Sequence, residues 1–224
     1  YTVDLLGCGR SDKSSITYTN FVYVQMISDF IKKIIGQKTD VIASGFSGSF
    51  VTMACHNEKE LFNKIMLVNP PSLTQLKQMP NRKDRLLKAA LEIPIFGTLV
   101  YHMIVSRDNI NNLFIEKMYY NPFHVDNQMA DAYYEAAHKG GYYTRFLYSS
   151  LAAKYININI CHALKALDNS IYIVEGETEP NGKAVTDDYC ASNPAIEVSV
   201  LKETKHLPHV EAPEAFLEQV KIFF

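Results

Sequence analysis

Between Lys64 and Asn69 the chain reads Lys-Ile-Met-Leu-Val-Asn, and it stops at Pro70-Pro71. Four consecutive apolar residues of strand length, with no polar alternation, do not suit a sheet with one wet face. They require a strand covered on both sides, and the two prolines end it. Asp40 to Ser44, Ser170 to Glu175 ("SIYIVE") and Ile196 to Leu201 ("IEVSVL") read as further strands. Segments of helical period lie between them. Thr19 to Ile35 places Phe21, Val24, Ile27, Ile31 and Ile34 on one face, Gly48 to Glu58 follows the second strand, and Pro213 to Phe224 closes the chain with proline in its first turn. Strand and helix in alternation predict an α/β fold with a mostly parallel sheet flanked by helices. Tyr1 to Leu5 predicts one more strand, which Gly7, Gly9 and Ser11 break into a loop.

From Ser72 to Asn169 the rhythm stops. This stretch carries helical periodicity and no clear strand, so residues 1–71 and 170–224 are expected to form the α/β core and 72–169 a helical cap over it. The cap segment is rich in Tyr119, Tyr120, Phe123, Tyr133, Tyr134, Tyr142, Tyr143, Phe146 and Tyr148. For any one of these aromatics packing is the default role, with part of the surface available to a ligand.

Composition removes several function classes. Lys and Arg total 22 against 24 Asp and Glu, a formal charge of −2, so nothing favours nucleic acid or an anionic membrane. The most apolar window, Ala89 to Val105, is broken by Glu92, Pro94, Gly97 and His102, short of the roughly 20 apolar residues that span a bilayer. The opening Tyr-Thr-Val-Asp lacks the pattern of a signal peptide, and a cytoplasmic location is the simplest expectation. Cys8, Cys55, Cys161 and Cys190 are scattered without a C-x-x-C pair, so neither a disulfide framework nor a zinc site is expected, and Cys55 reads as a buried reduced thiol. No metal and no organic cofactor are expected.

Chemistry gathers at three places. Gly45-Phe46-Ser47-Gly48-Ser49 has the G-x-S-x-G form with serine in the last place, where a strand turns into a helix. Such a turn strains its central residue, admits only small neighbours, and holds a serine oxygen out at the carboxyl edge of the sheet. Ser47 is then the candidate nucleophile and the Gly48 amide a candidate oxyanion donor. A base is available in "KETKHLPHVEAPEAF", where His206 follows the last strand, with His209 in a structural part of the same turn. An acid is available in Gly176-Glu177-Thr178-Glu179-Pro180 after "SIYIVE".

The chain order serine, acid, histidine resembles the α/β-hydrolase superfamily, within it the cap-bearing esterase and lipase-like group. "VDLLGCGRSDK" is similar to that family's D-x-x-G-x-G-x-S loop, "GFSGS" to its nucleophile elbow, and "HLPHVEAPEAF" to its histidine loop. The resemblance implies Ser47 as nucleophile, His206 as general base, Gly48 as one oxyanion donor and Glu179 as the acid at a place where aspartate is commoner. Glu177, Asp187 and Asp188 stand as alternatives to Glu179. It also implies strands before Tyr1 and a His-Gly loop carrying a second oxyanion donor, so the chain reads as a trimmed part of a longer protein. The expected function is hydrolysis of a small apolar ester, or related acyl substrate, through an acyl-serine. The alternatives are carbon–carbon bond hydrolysis or cofactor-free peroxidase chemistry with the same residues, and a slow or non-catalytic small-ligand-binding homologue.

Overall fold

Four strands, β1 (Thr39–Ser44), β2 (Phe62–Val68), β3 (Ile171–Gly176) and β4 (Glu197–Leu201), lie side by side in that order, and every neighbouring pair is parallel. They come from a computed structural model that describes residues 1–125 and 127–224. The registers Leu67↔Ile173 and Ile173↔Val198 stack the centres of three strands. The uninterrupted apolar reading of β2 and β3 has the cause inferred from the sequence. Ile65, Leu67, Ile171 and Ile173 face one side, against Tyr23, Phe50, Ala54 and Leu164. Met66, Val68, Tyr172 and Val174 face the other, against Leu201 and Phe216. Successive residues point to opposite faces, so the centre of a strand covered twice, residues 65–68 and 171–174, is apolar on both sides.

The covering helices are α1 (Asn20–Phe30), which runs on into a π-helical turn (Ile31–Ile35), α2 (Phe46–Asn57), and, beyond β3, α10 (Gly182–Ser192), α11 (Pro208–Glu211) and α12 (Pro213–Phe223). Between β2 and β3 come α3 (Leu73–Leu76), α4 (Arg82–Glu92), α5 (Pro94–Ile104), α6 (Arg107–Leu113), α7 (Asn127–His138), α8 (Thr144–Ala152) and α9 (Cys161–Ala166), with no strand among the described residues of this stretch. Asn81 opens α4 with a reciprocal capping box to Asp84, and α5 starts on Pro94, as helix-start chemistry favours. Leu73, Leu76, Ile156, Ile160 and Leu164, near the two ends of the stretch, pack into the same apolar cluster as the sheet.

The expected strand at Tyr1 to Leu5 is corrected: these residues pair with no described strand. Asp4 instead organises the loop that follows. Its Oδ2 accepts from the Arg10 amide at 2.8 Å and its carbonyl from Ser11 Oγ at 2.6 Å. Gly9 sits at φ +47°, where a Cβ would run into that carboxylate. No single helix is long and apolar enough to cross a membrane among the described residues. The four cysteines are free, and burial pushes the Cys55 thiol up to about 12.

Candidate active site

The carboxyl ends of β2, β3 and β4 are fastened together by one side chain. Asn69 follows β2, is buried, and adopts φ 42°, a left-handed conformation that asparagine tolerates better than most residues. Its Nδ2 donates to the carbonyls of Lys205 (2.8 Å) and His206 (2.9 Å), and its Oδ1 accepts from the Gly176 amide at 3.0 Å. Gly176 is glycine because the Lys205 carbonyl lies where a Cβ would be. The sequence reading ended a strand at Asn69 and gave it no further part. The one signal was a polar amide closing a buried apolar run just before two prolines.

The loop after β4 is held from the other side as well. The His206 amide donates to the Met118 carbonyl at 3.1 Å. Glu211 accepts from the Lys205 amide at 2.7 Å and from the Tyr120 amide at 2.6 Å, which binds the histidine loop to the segment after α6. Leu207 packs with Ile110 and Phe114 in the same region. The acid-bearing loop is tied by Glu179 N–H to the Gly176 carbonyl and Thr178 N–H to the Thr204 carbonyl, both 3.0 Å.

These ties bring His206 Nδ1 to 3.0 Å from Glu179 Oε1. With a carboxylate as acceptor the neutral imidazole carries its proton on Nδ1, and Nε2 is left with a lone pair. The other carboxylates considered in the sequence lie elsewhere. Glu177 Oε2 accepts from the Glu203 amide at 3.0 Å, Asp187 pairs with Lys183 at 3.3 Å, and Asp188 is exposed on α10. His209 packs beside Phe216, and burial first, then the neighbouring His206, lowers its pKa.

The serine turn departs from expectation in three respects. The residue in the strained conformation is Gly45, at φ 57° and ψ −132°, not Ser47. Ser47 is already the second residue of α2, and its Oγ donates to the Ser44 carbonyl at 2.7 Å. Among the described residues no hydrogen bond joins it to His206. The Gly48 amide, expected to face an oxyanion, donates to the Gly45 carbonyl at 3.1 Å as part of the first helical turn. Ser49 and Thr52 likewise return their hydroxyls to the carbonyls of Phe46 and Gly48, both at 2.7 Å. This is the usual way a helix absorbs such side chains. Gly48 is closely packed: a Cβ there would press on Leu67 Cδ2 at 3.1 Å, so Leu67 would have to give.

A cavity of about 400 Å³ opens at this edge of the sheet, with Gly45, Asn69, Glu175, Glu179, Thr186 and His206 in its wall. Ser47 is not part of the wall, nor is any of the aromatic residues of 119–148 named above. Glu175 was not foreseen. It is only 5% exposed, Gly182 leaves room for its carboxyl at the start of α10, and burial raises its pKa above the usual carboxylate range. The Oε2 atoms of Glu175 and Glu179 are buried and have no partner among the described residues. No cluster of three His, Cys, Asp or Glu side chains is placed to hold a metal ion among the described residues.

A model of the Alpha/beta hydrolase family matches residues 1–219. No curated protein matches the chain in sequence. Among solved structures it is similar to a carboxylesterase from the thaumarchaeon Nitrososphaera gargenis (16% identity, TM-score 0.70, covering 98% of this chain and 77% of that one). It is also similar to a bromoperoxidase from Bacillus anthracis (11%, 0.74, 98% and 79%) and to the 2-hydroxy-6-oxo-6-phenylhexa-2,4-dienoate hydrolase of Rhodococcus sp. strain RHA1 (16%, 0.74, 99% and 78%). At these identities the likeness is one of fold.

Proposed function

Because the chain belongs to the alpha/beta hydrolase family, we propose that it hydrolyses a small acyl compound, a carboxylic ester or a close relative, in the cavity at the carboxyl edge of the sheet. His206 is the general base and Glu179 the residue that orients it. The observation that carries this reading is the 3.0 Å bond between His206 Nδ1 and Glu179 Oε1 at the wall of that cavity. A carboxylate on Nδ1 fixes the tautomer, keeps Nε2 free to take a proton, and stabilises the imidazolium that results. In this reading 1–71 and 170–224 form the core, and 72–169 is a cap whose segment after α6 braces the histidine loop through Met118 and Tyr120.

A second reading, binding of a small ligand without turnover, is favoured by one observation: the Ser47 hydroxyl stays bonded to Ser44 and outside the cavity wall. Turnover of a short-chain nitrophenyl ester separates the two. The hydrolytic reading expects activity that His206→Ala lowers by about 10²-fold to 10⁴-fold, the usual contribution of a positioned general base. Activity absent from a folded protein, or unchanged by His206→Ala, supports binding alone.

A further inference from the structure

We propose that the place from which a nucleophile would face the base belongs in this chain to Gly45, and that His206 therefore activates a water molecule directly, with no acyl-serine intermediate. This rests on the hydrolytic reading of the same cavity and changes what attacks the substrate.

The backbone carries the first part. A residue at a sharp strand-to-helix turn presents its side chain at the sheet edge because its own conformation is strained. Here that conformation, φ 57° with ψ −132°, falls on Gly45. Gly45 still extends the ladder, donating to the Val68 carbonyl at 2.9 Å, and α2 begins at the next residue. A Cβ added to Gly45 meets no atom within 4 Å, so a side chain there would enter open space, and the residue is part of the cavity wall that His206 shares. Ser47 lies two residues beyond the turn and gives its only proton to Ser44.

The chemistry of the wall carries the second part. A buried water needs polar partners and room. The cavity has the room, and its wall holds two carboxylates, each with a buried oxygen that has no partner among the described residues. His206 Nε2 removes a proton from a water above Gly45. The water oxygen bonds to the carbonyl carbon as the C=O π pair moves onto its oxygen. A donor for that oxygen is the Phe46 amide, the first of α2 and a part of the wall, where a helical amide has no acceptor one turn back. When the tetrahedral species collapses, the C=O re-forms and the bond to the leaving alcohol breaks. The alcohol oxygen takes the proton held on Nε2. Ester and water become acid and alcohol, and His206 returns to its neutral form.

The test uses a fluorophosphonate probe, which reports an activated serine without needing the true substrate, beside nitrophenyl ester turnover. Wild type and Ser47→Ala are expected to remain unlabelled and to turn over the ester at rates within about twofold of each other. Gly45→Ser is expected to gain a label that peptide mapping places at position 45. A label on wild type that maps to Ser47 and disappears in Ser47→Ala overturns the proposal and leaves the hydrolytic reading standing. A folded Gly45→Ser that stays unlabelled overturns it as well. If Gly45→Ser does not fold, as judged by its circular-dichroism melt, wild type against Ser47→Ala still decides in the same way. Absence of ester turnover in wild type together with a labelled Gly45→Ser overturns the water step and the hydrolytic reading, and upholds the assignment of the turn to Gly45.

Discussion

The two halves of the site obey different rules. His206 and Glu179 stand on loops after β4 and β3, and both loops are held by polar side chains: buried Asn69 makes three hydrogen bonds and half-buried Glu211 accepts two. The opposite half, the turn from β1 into α2, has no such lock among the described residues. Its hydroxyls return to backbone carbonyls, Ser47 to the end of β1 and Ser49 within α2, and its unusual feature is a backbone conformation at Gly45. A site half made of side-chain contacts fails when a partner is removed, whereas a half made of backbone shape ignores the loss of a hydroxyl.

Four substitutions test that contrast, from the largest expected effect to the smallest. Glu179→Ala removes the acceptor on His206 Nδ1 and should lower kcat for ester hydrolysis by about 10²-fold to 10⁴-fold with little change in the melting curve. An unchanged kcat would show that the 3.0 Å bond is only structural. Asn69→Ala strands two carbonyls and one amide in a buried place. It should cost about 1–3 kcal/mol in urea-induced unfolding for the orphaned groups, and activity should fall with it. A loss well under 1 kcal/mol would mean that the loops hold themselves.

Glu175→Gln tests the cavity wall by pH. The pKa of this acid is raised by burial, so the folded state holds its proton more tightly than the unfolded chain. The cost of ionising it is absent below the ordinary value near 4.5 and sets in as pH rises through the higher folded value. Thermal melts should therefore show the Gln variant gaining on wild type as pH rises from 4 to 7. A gap that shrinks over that range reverses the sign and refutes the burial argument. Ser47→Ala should matter least. It removes one hydroxyl bonded to the carbonyl that ends β1, about 1 kcal/mol or less in a chemical melt, and a collapse of stability would show that the serine turn is locked after all.

How far the sequence carried follows the same division. Four strands were readable to within one or two residues: β2 and β3 because a strand buried on both faces is apolar at its centre, and the partly exposed β1 and β4 as short runs rich in β-branched residues. The contact of His206 with Glu179 was within reach of the sequence because each follows a strand in a loop where only a few polar residues are on offer. Tyr1 to Leu5 misled because extended, β-prone residues look alike whether or not a partner strand lies beside them, and pairing is not a local property. Asn69 was missed because its value lies in three distant backbone groups. The strained conformation expected at Ser47 lies two residues earlier, at Gly45, because "SGFSGS" offers small residues at every position but Phe46, and residue names alone do not say which of them takes it. Only the dihedral angles of Gly45 separate the two registers.

The central claim is that His206 works over Gly45 and not through Ser47. Acid quenching during turnover of a nitrophenyl ester, followed by intact-mass measurement of the wild-type protein, addresses it most directly. The account predicts product release with the protein at its unmodified mass throughout. An acyl adduct that forms during turnover and maps to Ser47 would contradict it.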